Sequence, residues 1–218
     1  LPALTHYSFG ANFAMPIKMI MDAFARSWNP YFLKKAEKNK GKIEEIEKPL
    51  YSRLSIIFIS GLILSFFSEE LIYFLTNKSF HFSKYIVPSY IFYYLLGSIG
   101  YISLPQMMYG EKMVYTVPIS FVNVIVNVSL NFLLIPIYGS VGAVVSLLTS
   151  AFTITFFQFY FGQKSMRIKL DKIKLISFFL IYLIFFIIVH ALLFSNLSFF
   201  YKLIIKLISI LTYISILI

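Results

Sequence analysis

The chain has 218 residues, 59% of them hydrophobic and only 13% charged, where a soluble domain carries about a quarter charged residues. Its mean hydropathy is +0.82, so a water-solvated globular fold is excluded and the apolar excess must face lipid. The formal net charge of +10 is concentrated in short segments between apolar runs, a pattern of membrane topology and not of a nucleic-acid patch, and the absence of cysteine excludes disulfide and thiolate chemistry.

A spanning helix needs about 20 mainly apolar residues. Seven stretches meet that need, at 5–29, 51–75, 85–108, 113–135, 140–162, 174–194 and 199–218, and they define an all-α integral membrane protein of about seven transmembrane helices. Leu1 to Phe13 lacks the charged start and short apolar core of a signal peptide. The sequence begins without Met, in what reads as the start of a helix, and the expectation is a fragment or a truncated reading frame. No stretch between spans is long enough for a separate soluble domain, although 34–48, with mixed charge, is expected to form a short surface helix.

The first span carries Lys18, Asp22 and Arg26 at i, i+4 and i+8, which places them on one helix face. At 1.5 Å per residue, Lys18 lies about 18 Å from the helix end near Pro30, close to mid-membrane. A charge at that depth costs about 2.5 to 3.5 kcal/mol on insertion scales. The stripe is therefore expected to face a protein interior or a water-filled cavity, with Asp22 pairing to either basic neighbour. The structural alternative is an intrahelical ion pair that only fixes packing, with Arg26 reaching the surface. Pro16 is expected to kink this helix.

Between 76 and 84 lie only Lys78 and Lys84, whereas 30–53 and 163–174, with Lys112, hold thirteen basic residues. This bias places loops 34–50 and 163–173 in the cytoplasm. Glu69 and Glu70 fall at the opposite end of the second span, where an interfacial position accounts for them. Pro88, Gly97, Gly100 and Pro105 in the third span signal close approach or flexibility.

The fourth span carries a second stripe, Asn123, Asn127 and Asn131. Three amides in line cannot face lipid cheaply, so they either bond neighbouring helices or line a polar path. The fifth span presents Gly142, Ser146, Thr149, Ser150 and Thr153, small residues that allow close helix packing. The last two spans are the most hydrophobic and read as peripheral. His6 and His190 have no partners at metal-ligand spacing, and no nucleophile, base and orienting group occur together, so neither a metal, a cofactor nor enzymatic activity is expected.

Two stretches carry a family resemblance. Tyr7-Ser8-Phe9-Gly10-Ala11, leading to Ala25-Arg26-Ser27-Trp28-Asn29-Pro30, resembles the "YS-x-A…K…AW-x-P" helix of bacterial polysaccharide flippases. Asn123 to Ala143, NVIVNVSLNFLLIPIYGSVGA, is similar to their "N-x-x-LN-x-x-LIP-x-YG-x-x-GA" segment, in which Pro136, Gly139 and Gly142 make a tight outer turn. The family is the Wzx-type O-antigen flippases, in the superfamily that also holds the MATE exporters. The resemblance covers about Tyr7 to Phe161. It implies the C-terminal lobe of a MATE-like transporter: a bundle over 1–162, then a basic loop and two peripheral helices over 163–218. Family members are about twice this length, so a missing N-terminal lobe or a partner chain is expected.

The implied activity is transport of an undecaprenyl-diphosphate-linked oligosaccharide across the bacterial inner membrane, by alternating access, for surface polysaccharide biosynthesis. Lys18 and Arg26 would attract the diphosphate, Asn123, Asn127 and Asn131 would meet sugar hydroxyls, and Asp22 would hold the basic pair or respond to protonation. The competing readings are a MATE-type drug or cation antiporter, whose cavity would favour acids over the two bases that flank Asp22, and a membrane polysaccharide polymerase or glycosyltransferase, which would need a larger extramembrane loop. The flippase reading requires a cationic crevice between the first helix and the asparagine-bearing one.

Overall fold

A computed structural model describes residues 2–38 and 46–217. Among the described residues the chain is helical, with no strand. The elements are α1 (Pro2–Phe13), α2 (Met15–Lys38), α3 (Glu47–Phe66), α4 (Ser68–Leu75), a 3-10 helix (Lys78–Tyr85), α5 (Val87–Gly97), α6 (Gly100–Tyr109), a short 3-10 turn (Met113–Tyr115), α7 (Thr116–Tyr138), α8 (Ser140–Ser165), α9 (Lys172–Phe194) and α10 (Phe199–Leu217).

Among the described residues six helical stretches are long and apolar enough to cross a membrane: Glu47–Phe66, Val87–Tyr109, Met113–Tyr138, Ser140–Ser165, Ile173–Phe194 and Phe199–Ile216. They correspond to the second to seventh stretches expected from the sequence. The first, 5–29, is helical but divided. Its chain breaks at Ala14, and α2 then runs through Pro30 to Lys38. Lys18, Asp22 and Arg26 make α2 too polar to join the six. Pro16 does not kink the middle of a helix. It sits in the first turn of α2, where its missing N–H would have had no intrahelical partner.

Two further spans are broken where the sequence suggested single helices. The second divides at Phe67 into α3 and α4, and the third divides at Ser98–Ile99, between Gly97 and Gly100. Residues 34–38 of the expected surface helix are the last turn of α2, Glu47 and Lys48 open α3, and 39–45 lie outside the described residues.

The α7–α8 hairpin shows why its turn motif needs glycine. A single residue, Gly139, joins the two helices with φ +57° and ψ −130°, a conformation that side chains disfavour. A Cβ at Gly142 would run into the carbonyl of Leu134, so the first turn of α8 can lie this close to α7 only without a side chain there. Pro136 is not in the turn; it sits inside the last turn of α7.

The chain forms two compact units that interleave in sequence. One comprises Leu1–Ile17, Tyr51–Phe92 and Asp171–Ile218. Its core is aromatic: Tyr182 is fully buried, stacks on Phe92, meets Phe58 edge-on and shares a hydrogen bond of 3.0 Å with Ser65. The last two helices are built into this core through Tyr182, Phe185 and Tyr213. Asp171 caps α9 by accepting from the Lys174 N–H at 3.1 Å.

The other unit comprises Lys18–Leu50 and Tyr93–Leu170. Here α8 packs on both α7 and α6. Thr155 donates to the Leu96 carbonyl at 3.1 Å and Gln106 donates to the Met166 carbonyl at 2.8 Å. Of the small residues expected to pack, Gly142, Ser146 and Ser150 are buried, whereas Thr149 is exposed and Thr153 is half-buried; Gly162 is buried as well.

Candidate functional site

Within the second unit a cavity of about 270 Å³ opens beside Lys18. Its walls are Lys18 and Met21 from α2, Tyr93, Tyr94 and Gly97 from α5, Gly100, Tyr101 and Leu104 from α6, and Ala151, Ile154 and Gln158 from α8. The polar groups that reach it are one ammonium, three phenols and one amide. Gly97–Tyr101 lie at the middle of the Val87–Tyr109 stretch, and Ala151 and Ile154 lie near the middle of Ser140–Ser165. The cavity therefore falls at the mid-length of two candidate spans.

Backbone features in the walls create this opening. The interruption at Ser98–Ile99 turns the α5–α6 pair, and the lack of a side chain at Gly100 lets α8 come close. A Cβ at Gly100 would stand 2.5 Å from Gln158 Oε1, so glycine here holds the place of the Gln158 amide. Tyr101 connects the wall to the carboxylate of α2: its hydroxyl donates to Asp22 Oδ1 at 2.7 Å.

This arrangement differs from the expected charge stripe. Asp22 takes its hydrogen bond from Tyr101, and among the described residues neither Lys18 nor Arg26 forms an ion pair with it. Lys18 is exposed and faces the cavity, so its ammonium is left available to a ligand. Arg26 lies one turn beyond Asp22, exposed, and does not line the cavity.

The asparagine stripe lies elsewhere in the unit. Asn127 donates to Ser150 Oγ on α8 at 3.1 Å, and Asn131 donates to Asn127 Oδ1 at 3.0 Å. The first bond joins α7 to α8 and the second lies within α7. The Asn123 and Asn131 side-chain oxygens are buried without hydrogen-bond partners among the described residues. None of the three asparagines lines the Lys18 cavity, whose walls are α2, α5, α6 and α8 and not α7. The crevice expected between the first helix and the asparagine-bearing helix is in this sense displaced: α8 takes the place of α7.

A second charged site, in the first unit, was not read from the sequence as a site. Glu69 and Glu70 at the start of α4 meet three lysines. Lys84 donates to Glu69 Oε1 at 2.6 Å, Lys202 lies 3.4 Å from Glu69 Oε2, and Lys206 lies 2.5 Å from Glu70 Oε1. Lys206 is 1% exposed and lies over the ring of Phe67. Lys84 also donates to the Tyr73 hydroxyl at 3.2 Å. Burial by itself would push the Glu69 carboxyl up, but the Lys84 hydrogen bond and the charges of Lys84, Lys202 and Lys206 outweigh it and hold the group below its ordinary value. Burial likewise opposes the charge on Lys84, and its bonds to Glu69 and Tyr73 overcome that and raise it.

A signal for this site was present in the sequence. Lys202 and Lys206 are spaced i, i+4 on an otherwise apolar helix, and adjacent carboxylates at 69 and 70 are the matching partners. Only the fold shows that α4 and α10 meet.

The fold defines a class, an all-helical chain with the six apolar stretches of a multi-pass membrane protein. Comparison with family models, curated proteins and solved structures yields no match.

Proposed function

We propose that this chain is one lobe of a transporter that moves a lipid-linked oligosaccharide with a diphosphate linkage across the bacterial cytoplasmic membrane, with a second lobe supplied by further sequence or by a partner chain. The observation that carries this reading is the uncommitted ammonium of Lys18, in a cavity lined by Tyr93, Tyr94, Tyr101 and Gln158 at the mid-length of apolar spans. A diphosphate and a sugar cannot cross hydrocarbon unaided. Their route needs a cation for the phosphate and hydrogen-bonding or aromatic groups for the sugar, held where lipid is excluded. The resemblance of the α2 and α7–α8 segments to the polysaccharide flippases supports the same reading, as does the concentration of basic residues in 34–50 and 163–173, which we take as cytoplasmic.

The size of the cavity bears on mechanism. At about 270 Å³ it is just below the range of small-molecule pockets, about 300 to 1,000 Å³. It accommodates a diphosphate or one sugar ring and not an oligosaccharide, which is consistent with one wall of a larger two-lobed path. In this reading Lys18 attracts the diphosphate, Tyr101 and Gln158 offer hydrogen bonds beside it, and Asp22 orients the Tyr101 hydroxyl. Asn127 serves as a helix-to-helix bond, with Asn131 bonded to it along α7.

The test is charge reversal. In a host lacking its own transporter of lipid-linked oligosaccharide, and with the second lobe present, Lys18→Glu abolishes surface polysaccharide while protein level and membrane insertion hold, and Lys18→Arg retains it. Unchanged polysaccharide in the Lys18→Glu strain contradicts the reading. Resistance to cationic drugs conferred by the unmodified protein would instead favour an antiporter.

A further inference from the structure

At the end of the Ser140–Ser165 stretch, α8 gives way to a strap over 166–170. The strap opens in extended backbone, with Met166 at φ −149° and ψ 110°. Burial alternates along it: Met166 and Ile168 are buried, whereas Arg167 and Lys169 are exposed. In extended chain, residues two apart share a face, so the apolar pair anchors the strap and the basic pair points away from the core. Two hydrogen bonds pin the backbone. Gln106, fully buried, donates to the Met166 carbonyl at 2.8 Å, and the Ile168 N–H donates to Gln163 Oε1 at 3.1 Å. The two cations are therefore held on a fixed backbone at the end of a candidate span.

Lys164, in the last turn of α8, adds a third cation. Between 163 and 170 the sequence holds these three basic residues and no acid. All three are exposed, and among the described residues none forms an ion pair. Glu111, next to the Gly110 that packs on Ser165, is accompanied by Lys112, so the surface stays positive. Leading up to Lys164, one face of α8 carries Phe152, Phe156 and Tyr160 at successive steps of four, all widely exposed. An aromatic stripe on a span suits acyl chains, and the basic end above it suits headgroups. A soluble anion or a nucleic acid would use the cations and leave the stripe uncovered.

We propose that the end of α8 and the strap bind an anionic phospholipid of the adjoining leaflet, whose phosphate takes Lys164, Arg167 and Lys169 and whose acyl chain lies along Phe152, Phe156 and Tyr160. The cations are uncommitted and reachable, and the phosphate supplies the negative charge that the fold does not. The site shares no side chain with the Lys18 cavity. It requires only that the helices cross a bilayer, and it stands or falls apart from the transport reading.

The test is lipid binding by the purified, delipidated full chain, read as apparent affinity by native mass spectrometry. The probes are phosphatidylglycerol, phosphatidylethanolamine and phosphatidylcholine with matched chains, and phosphatidylglycerol binds most tightly. Combining Arg167→Gln with Lys169→Gln weakens phosphatidylglycerol roughly 25-fold, about fivefold for each basic group near an anionic leaflet, and leaves the other two lipids unchanged. Combining Lys34→Gln with Lys38→Gln removes the same charge from the end of α2 and changes the affinity little. An excess of the water-soluble headgroup, glycerophosphoglycerol, does not displace the lipid. Equal affinity for the three lipids, an equal loss from both double variants, or displacement by the soluble headgroup would overturn the proposal. The lipid series and the soluble competitor need no variant, so a folding defect cannot obscure the result.

Discussion

The two charged sites use their lysines in opposite ways. In the first unit two carboxylates engage three ammonium groups, down to a Lys206 with 1% exposure. In the second, the acid and the base share one face of α2 and yet do not pair: Asp22 Oδ1 accepts from Tyr101, and Lys18 looks into a cavity. Burial of a charge requires a partner. A lysine whose charge is matched within the fold therefore serves stability, and one left unmatched at membrane depth is available for a ligand. The number of charges near a span says less about function than where each one finds its counterion.

This contrast predicts different consequences for similar substitutions. The largest effect is expected at Lys206. Its replacement by Met leaves the Glu70 carboxylate without its ion-pair partner, and loss of one member of a buried pair costs about 3–5 kcal/mol. Thermal unfolding in detergent should show a large drop for Lys206→Met and essentially none for Lys18→Met, whose cost appears only in transport. Comparable destabilisation by both would erase the distinction between the sites.

Next in size is Tyr101→Phe, which strips Asp22 of its hydrogen bond. A bond to a charged group contributes about 1.5–3 kcal/mol, so this variant should unfold at lower temperature, and Asp22→Asn should partly suppress the loss when the two are combined. Additive effects would show that the two side chains act separately.

The pH dependence of the first unit is a smaller effect. Because the Glu69 carboxyl is held below its ordinary value in the folded chain, the stability it confers is fully present above the unfolded carboxylate value and is lost as pH falls through the folded one. Lys84 is raised, so its contribution persists to high pH and is lost only above the ordinary lysine range. Stability should thus fall on acidification, and the acid slope should be shallower in Glu69→Gln. An unchanged slope would mean that other groups set it. The smallest effect is expected at Asn127→Leu, since hydrogen bonds between membrane helices average about 0.6 kcal/mol. A loss of transport without this small destabilisation would return the asparagines to the substrate path.

Much of the architecture was legible because lipid imposes length and apolarity on each span. Six of the seven expected stretches meet those criteria, and glycine at 139 and 142 marked the α7–α8 hairpin. Interruptions were less visible. The break at Ser98–Ile99 arises in apolar sequence, and those at Ala14 and Phe67 fall just before the charges of α2 and the Glu69–Glu70 pair of α4, which the sequence reading had absorbed into single spans. At the candidate site, Lys18 and Asp22 were identified by their cost at depth, but their relation was not. Helix periodicity places Asp22 beside Lys18 and Arg26; only tertiary packing brings Tyr101 from α6 to compete for it. The asparagines had the same limit, since i, i+4 spacing reports a common face and not which helix covers that face. The lysines of α10 were passed over because their partners lie more than 130 residues away in α4.

The central claim is that water reaches Lys18 and Gln158 within the membrane. Because the sequence contains no cysteine, single substitutions can be labelled without background. In proteoliposomes, Lys18→Cys and Gln158→Cys should react with a small, charged, water-soluble thiol reagent, while Phe121→Cys on the exposed apolar face of α7 should react only after detergent is added. If Lys18→Cys and Gln158→Cys are as inert in the bilayer as Phe121→Cys, there is no hydrated cavity and the account fails.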